Sequence, residues 1–317
     1  MDILQRMDRE HAEVVAMIPA ELLDLSDIPR ARQMVGELLA TMTADLPPVE
    51  GVSSHDHHAP GPDGAPDVVV RVYRPDGVEG DLPGFLWIHG GGMVLGDVAM
   101  DDFATAMYAQ QLQCVVGSVD YRLAPEHPFP APLEDCYAAL KWFARDCPGV
   151  NGSRVIIGGA SAGAGLAAGL ALLARDRGEI DVAFQLLIYP MIDDRNVTRS
   201  SQEITHPSVW NRRANLDGWN AYLSGNAGGD DVSAYAAPAR AETLDGLPPA
   251  YIAVGDLDLF LDEDIAYAQR LLAAGVPTEL HVYPGAFHGS DAFVPMSDIS
   301  QRWAADRNRA LMTALHG

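Results

Sequence analysis

The chain has 317 residues, 48% of them hydrophobic, and its 44 acidic and 21 basic side chains give a net charge of −23. This composition can bury a large core, and the length suits one large α/β domain with an insertion. The negative charge excludes nucleic acid as a partner and disfavours stable membrane anchoring, because nucleic acid and anionic lipid both attract a positively charged surface.

The first segment of the chain predicts helices. Apolar residues recur at helical spacing over residues 12–18 and 34–42, and the pair Pro47-Pro48 ends the pattern. The opening stretch MDILQRMDREHAEVV is charged throughout and lacks the apolar core of a signal peptide. Together with the absence of a long apolar run and of a disulfide framework among three cysteines, this predicts a cytoplasmic protein.

Short apolar runs and helical stretches alternate over most of the remaining chain. This pattern predicts an α/β fold with a mostly parallel sheet flanked by helices. Counting an N-terminal hairpin, eight strands are predicted, at residues 52–58, 68–73, 85–89, 114–119, 154–158, 184–189, 251–254 and 279–283. The predicted helices between them cover residues 102–112, 132–146, 162–175 and 262–274.

Residues 193–231 interrupt the alternation, because they carry three large aromatic residues and no strand pattern. We interpret this segment as an inserted helical lid. Trp210, Trp219 and Tyr222 could line a substrate pocket, or they could form a small core of the lid itself. The predicted organisation is a helical cap segment at 1–48, a core in two parts at 49–192 and 232–317, and a cap insertion at 193–231.

The strongest local signal is G-x-S-x-G, which occurs as Gly159-Ala160-Ser161-Ala162-Gly163 between a predicted strand and a predicted helix. A serine in this position sits on a sharp turn, so small residues must surround it. The helix that begins there directs free N–H groups and a positive dipole end toward developing negative charge. We identify Ser161 as the candidate nucleophile.

A serine nucleophile needs a base that is oriented by an acid, and in this fold the chain order should be serine, acid, histidine. His288 lies on a glycine-flanked loop after the last strand and is the predicted general base. The acid should follow the seventh strand. Asp258 is favoured there, and Asp256, which is closer to the strand, is its main rival.

Three consecutive glycines follow the apolar run FLWI in the sequence IHGGGMVLGD. Glycine weakens regular structure, so this position must require bare backbone. An HGGG motif after the third strand can supply half of an oxyanion hole. The predicted donors are the N–H groups of Gly91 and Gly92, joined by that of Ala162 directly after the nucleophile.

Taken together, these motifs resemble the hormone-sensitive-lipase-like (bacterial family IV) esterases. The matching segments are HGGG at 89–92, SVDYRLAPEHPFPAPLEDC at 118–136, GASAG at 159–163, DLFLDE at 258–263 and HG at 288–289. The resemblance covers the chain from about residue 68 to its end. It implies an α/β-hydrolase fold with a helical cap, no cofactor, and Ser161, Asp258 and His288 as the catalytic triad.

Two positions depart from the family pattern. Ala160 stands where the family often has Asp or Thr, which could alter the pH optimum or the rate, and Ser290 stands where Phe is common. The HDHH sequence at 55–58 can place imidazoles on one strand face, but no further ligand has suitable spacing, so no metal site is predicted. The amphipathic stretch 299–315 could pack on the sheet or form a homodimer contact.

The resemblance implies a serine carboxylesterase that hydrolyses short- to medium-chain esters of small molecules through a covalent acyl-enzyme. An amidase, a lactonase or a carbamate hydrolase would use the same triad. A non-catalytic homologue that only binds a small molecule is the alternative from another class. The presence of His288 argues against it, because that alternative lacks the catalytic base.

Overall fold

A single eight-stranded sheet forms the centre of the computed structural model, which describes residues 3–44 and 46–317. The strands are β1 (Val52–Ala59), β2 (Val68–Pro75), β3 (Leu82–Ile88), β4 (Val115–Asp120), β5 (Val150–Ala160), β6 (Gln185–Ile188), β7 (Ala250–Leu257) and β8 (Thr278–Phe287). Their spatial order is β1-β2-β4-β3-β5-β6-β7-β8. Only β2 runs in the direction opposite to the other seven strands. The predicted mostly parallel sheet of an α/β-hydrolase fold is therefore confirmed.

Helices cover both faces of this sheet. They are α1 (Arg9–Val15), α2 (Ile28–Thr43), α3 (Asp102–Leu112), α4 (Ala131–Arg145), α5 (Ala162–Arg177), α6 (Arg199–Glu203), α7 (Arg212–Tyr222), α8 (Leu261–Ala273), α9 (Ser290–Phe293) and α10 (Asp298–His316). Within the described ranges, no helix combines the length and the apolar character needed to cross a membrane.

Strand β3 shows how the sheet divides the core. Phe85 and Trp87 pack into one buried cluster together with residues of α3 and α10, whereas Leu86 and Ile88 pack into the other with α4 and α5. This alternation follows from the period of two in a strand, and both sets are buried because helices cover both faces. The C-terminal stretch left open by the sequence packs on the sheet as α10.

The strand order reverses where β3 lies between β4 and β5, which places two motifs side by side. Ile88, the last residue of β3, is paired with Gly159 near the end of β5. The HGGG sequence that follows β3 therefore lies beside the serine turn that follows β5. Loops at the carboxyl ends of parallel strands beside such a reversal form the usual ligand site of open α/β sheets.

The N-terminal helices and the insertion between β6 and β7 lie over this carboxyl edge. In α2, the Arg32 guanidinium donates to the Val94 carbonyl at 2.8 Å and to both carboxylate oxygens of Glu126 at 2.8 Å. In the insertion, the Ser208 hydroxyl donates to the Ile18 carbonyl at 2.9 Å. These bonds connect the two segments to the core and to each other.

Replacement of Trp303 in α10 should destabilise the fold. Its side chain is fully buried and stacks on Tyr283 with 4.4 Å between ring centroids. Because Trp303→Ala removes this packing and leaves a cavity, we expect the free energy of unfolding to fall by about 3–5 kcal/mol. Urea denaturation measures this, with the exposed neighbour Arg302→Ala as a control that changes it by less than about 0.5 kcal/mol. Equal effects of the two substitutions would contradict the assignment of α10 to the core.

Candidate active site

Ser161 lies on a strained turn between β5 and α5. Its backbone has φ 57° and ψ −121°, a conformation that non-glycine residues rarely adopt, and its N–H donates to the Ile188 carbonyl at 2.9 Å. A Cβ atom at Gly159 would lie 2.5 Å from the Ile88 carbonyl oxygen, and one at Gly163 would overlap that same oxygen. The glycines of G-x-S-x-G are therefore required by the close approach of β3 to this turn.

His288 and Asp258 are brought together by the register of the last two strands. Leu257 of β7 is paired with Phe287 of β8, so the residues that follow each strand are neighbours. His288 Nδ1 lies 2.8 Å from Asp258 Oδ2, and His288 Nε2 lies 2.9 Å from Ser161 Oγ. In the tautomer that satisfies this network, Nδ1–H donates to the carboxylate and Nε2 accepts from the serine hydroxyl.

The surroundings of the pair hold the imidazole in place. The Asp258 side chain is fully buried, and its second oxygen accepts a hydrogen bond from the Phe260 N–H at 2.9 Å. The His288 ring makes edge contacts with Tyr189 and Phe260, at centroid distances of 4.6 and 5.2 Å. Only 10% of the His288 side chain is exposed, so its hydrogen bonds compete little with water.

The rival acid, Asp256, has a different partner. Its carboxylate accepts a hydrogen bond from the Gly285 N–H at 2.7 Å, beside the irregular pairing of β7 with β8. Asp256 thus stabilises the strand geometry that lets the two chains after β7 and β8 converge. The structure brings Asp258, and not Asp256, to His288.

The HGGG loop and the serine turn together leave three backbone donors free. Gly91 has φ +109° and Gly92 has φ +62°, and a Cβ atom on them would collide with the Leu95 carbonyl and with the Trp210 ring respectively. Within the described ranges, the N–H groups of Gly91, Gly92 and Ala162 donate no hydrogen bond. Free, preorganised amides beside a serine are suited to meet an oxyanion.

His89 supports this loop from below. It is fully buried, its Nδ1–H donates to the Gly90 carbonyl at 2.8 Å, and its ring stacks on Tyr121 at 4.3 Å. The Tyr121 hydroxyl in turn donates to the His89 carbonyl at 3.0 Å. Burial lowers the pKa of His89 to about 4, so this imidazole stays neutral near pH 7 and can hold the loop without adding charge.

A cavity of about 240 Å³ opens above Ser161, with Gly90, Gly91 and His288 in its floor. Much of its wall is apolar and comes from the N-terminal cap, including Ile18, Leu22, Leu38 and Met42. This cap is therefore part of the candidate substrate site. The sequence motifs did not identify these residues, because their helical periodicity is the same as that of ordinary core helices.

The three aromatic candidates in the insertion separate into two groups. Trp210 lines the cavity and its ring faces His288 at a centroid distance of 6.3 Å. Trp219 and Tyr222 of α7 are fully buried, with 6.1 Å between their centroids, and do not line the cavity. The latter two are core residues of the insertion, because α7 turns their side chains inward.

The structure also locates other residues that the sequence singled out or missed. His57 of β1 packs on Trp142 at 5.4 Å, and across residues 3–44 and 46–317 no group of three or more His, Cys, Asp or Glu side chains could hold a metal ion. Tyr189 and Asp101 line the cavity and were missed. In the sequence, only their positions just after β6 and after the HGGG loop could have indicated that these two residues lie at the cavity.

The fold and this arrangement of serine, histidine and aspartate define the class of α/β-hydrolase serine hydrolases. A family model described as alpha/beta hydrolase fold matches residues 85–292, and the chain belongs to that family. The predicted resemblance to hormone-sensitive-lipase-like esterases is thereby confirmed.

Known relatives and solved structures agree with this membership. Carboxylesterase NlhH of Mycobacterium tuberculosis is 37% identical over 81% of each chain, and an arylesterase of Saccharolobus solfataricus is 30% identical over 78% of this chain and 79% of its own. A bacterial heroin esterase structure is 42% identical, covers 100% of both chains and has a TM-score of 0.95. Esterase LipW from Mycobacterium marinum is 37% identical, with coverage of 99% and 98% and a TM-score of 0.83.

Gly163, two residues after Ser161, provides a test of the packing at the turn. Gly163→Ala should lower the free energy of unfolding by about 1–3 kcal/mol or more, because the added methyl group overlaps the carbonyls of Ile88 and His89. Gly36→Ala in α2 is a matched control, since its Cβ would meet nothing within 4 Å. That control should raise stability by up to about 1 kcal/mol. Denaturation curves that place both variants on the same side of wild type would contradict the packing described for the turn.

Proposed function

We propose that this protein is a serine carboxylesterase that hydrolyses short- to medium-chain esters of small molecules through a covalent acyl-enzyme, without a cofactor. The observation that carries this proposal is the continuous hydrogen-bond chain from Ser161 through His288 to Asp258 at the floor of an apolar cavity. A relative of similar length that is named a carboxylesterase, and a solved structure that is named a heroin esterase, support the same reaction class.

In the first half of the reaction, the Ser161 hydroxyl attacks the ester carbonyl while His288 Nε2 takes its proton. The buried Asp258 carboxylate stabilises the imidazolium that forms. The carbonyl oxygen becomes an oxyanion, which accepts hydrogen bonds from the N–H groups of Gly91, Gly92 and Ala162. His288 then protonates the leaving alkoxide as the C–O bond breaks, and the acyl group remains on Ser161.

In the second half, a water molecule replaces the alcohol and gives its proton to His288 as it attacks the acyl-enzyme. The same amides hold the second oxyanion. Collapse of this intermediate returns the proton to Ser161 and releases the carboxylic acid. Each oxyanion donor is expected to lower the barrier by about 3 kcal/mol, because the amides are fixed before the charge develops.

The apolar wall supplied by the N-terminal cap supports acyl or alcohol groups of modest size. Each methylene that leaves water for such a wall contributes about 0.8 kcal/mol to binding. This gain in binding free energy stops when the acyl or alcohol chain of the ester is longer than the cavity. Activity should therefore rise with the length of that chain and then decline. We propose an optimum among short to medium chains on this basis.

We further propose that the protein works in the cytoplasm and that a homodimer is accessible to it. The three cysteines, Cys114, Cys136 and Cys147, are buried free thiols, which suits a reducing compartment.

Strand β8 is an edge of the sheet, and its Val282 side chain is 39% exposed, so a second copy could pair there. Light scattering of the purified chain distinguishes a monomer from a dimer.

The esterase proposal is tested with p-nitrophenyl esters from acetyl to decanoyl. Wild type should turn over the short and medium esters and lose activity toward decanoyl. Ser161→Ala should lower kcat by about 10⁶, close to the loss of the whole triad, because no nucleophile remains. Folded wild-type protein that hydrolyses none of these esters would overturn the proposal and favour amides, lactones or binding without catalysis.

The choice of acid is tested by two matched substitutions two residues apart. Asp258→Asn should lower kcat by about 10⁴, because the amide favours the wrong tautomer of His288. Asp256→Asn keeps an oxygen that can accept from the Gly285 N–H, so it should lower kcat less than about tenfold. Steady-state kinetics on p-nitrophenyl butyrate measure both. A larger loss in Asp256→Asn than in Asp258→Asn would overturn the assignment.

A further inference from the structure

Asp101 contributes the only carboxylate to the lining of the active-site cavity in the described part of the chain. It ends a single 3-10 turn, Val98–Asp101, that follows the oxyanion loop. One oxygen, Oδ2, accepts a hydrogen bond from the Trp87 indole N–H at 2.7 Å. Residues 3–44 and 46–317 donate no hydrogen bond to the other oxygen, Oδ1, so that atom remains available to a ligand.

No cation within these same ranges forms an ion pair with Asp101. The Arg307 guanidinium, which like Asp101 acts on the charge of Tyr108, pairs with Asp291 at 3.0 Å from its Oδ2. The Arg71 guanidinium pairs with Asp102, also at 3.0 Å. Because these cations are engaged by other carboxylates, ionised Asp101 leaves one uncompensated negative charge on the cavity wall.

Aromatic rings share the cavity with this charge. Tyr189, Trp210, Phe287 and Phe293 line the same cavity. Aromatic faces attract cations, and an ammonium group gains most from them where water is excluded. A neutral substrate that covers Asp101 would instead remove the water that hydrates its carboxylate and would offer no positive charge in return, which weakens binding. The cavity therefore combines the two features that recognise a positively charged nitrogen.

We propose that Asp101 is a specificity-determining residue that selects esters carrying an ammonium group. This inference rests on the proposed esterase function, because the ester carbonyl must reach Ser161 while the cationic nitrogen lies at Asp101. The substrate class is thereby narrowed to esters of small molecules that contain a quaternary or protonated amine. Hydrolysis itself proceeds by the same steps, and Asp101 transfers no proton.

A purely structural role for Asp101 is the competing explanation, since its bond to Trp87 connects the 3-10 turn to β3. The substitution Asp101→Asn separates the two roles. An asparagine oxygen can accept the same hydrogen bond from the indole, whereas the negative charge is lost. A structural defect would affect charged and neutral esters alike, and loss of charge recognition would affect only the charged ones.

The test compares acetate esters of ω-trimethylammonio alcohols, with two to four methylene groups, and their tert-butyl isosteres. The two members of each pair have nearly the same shape and differ in charge. For the best spacer, kcat/KM of wild type at pH 8 should be about tenfold or more higher for the charged ester. Asp101→Asn should bring this ratio most of the way toward one, because only the attraction of the aromatic rings then remains.

Asp97→Asn is the matched control. Asp97 lies four residues earlier at the start of the same 3-10 turn, is exposed, and does not line the cavity. Its carboxylate accepts from the Ala99 N–H, which an asparagine can also do. This control removes the same charge from the same turn, and it should keep the wild-type ratio. Equal ratios in the two variants would overturn the role of Asp101.

The pH dependence of the ratio of kcat/KM for the charged and neutral esters provides a second, independent test. Burial, followed by the charges of Asp291 and Asp102, raises the pKa of Asp101 to about 6, partly offset by the indole hydrogen bond. The carboxylate is therefore charged above about pH 6, and the preference should fade below it, while the quaternary nitrogen stays cationic. Both esters react through the same triad, so an effect of pH on the chemical step is common to the pair, and the ratio reports the difference in charge recognition. The other titratable groups around Asp101 are Asp102, Tyr108, Tyr121, Tyr189 and Asp291.

Failure of this inference can be distinguished from failure of the esterase proposal. If wild type hydrolyses the neutral esters and shows no preference for the charged ones, only the role of Asp101 is overturned. If it hydrolyses neither, the esterase proposal fails. Calorimetry then measures binding of the same ester pairs to Ser161→Ala with and without Asp101→Asn. A preference for the charged ester that depends on Asp101 supports the inference, and its absence overturns it.

Discussion

The arrangement of this site depends on one close approach, where the turn around Ser161 contacts the end of β3. The backbone carbonyl of Ile88 lies so near Gly159 and Gly163 that neither can carry a side chain. At this contact Ser161 has a positive φ and lies beside the HGGG loop. The strain at this residue is maintained because it lies between the end of β5 and the fully buried start of α5, beside β3.

Three carboxylates between the end of β7 and the start of α8 have different partners and different roles. Asp256 holds the irregular strand pairing, Asp258 orients His288, and Glu263 accepts from the N–H groups of the two residues that follow Met191. Burial raises the pKa of Glu263 well above its usual value. The partner that each carboxylate meets, and not its type, determines what it does.

In the cavity, the residues that carry out the reaction are different from the residues that contact the rest of the substrate. Its floor is made by residues that the motifs specify, and its walls come from the N-terminal cap, the insertion and the turn after the HGGG loop. The wall residues of the N-terminal cap take no part in the hydrogen-bond chain below them. One scaffold can therefore keep a single chemistry while a residue such as Asp101 alters which esters reach it.

The sequence by itself determined the strand and helix alternation, the serine turn, the glycine donors and the histidine, because each depends on local spacing and on residue type. It favoured Asp258 over Asp256 without excluding Asp256, since both lie near the end of the same strand. Only the tertiary structure decided between them, through a strand register that pairs Leu257 with Phe287. It also decided that Trp210 faces the cavity while Trp219 and Tyr222 are core residues, because side-chain direction across an insertion depends on distant packing and not on local pattern.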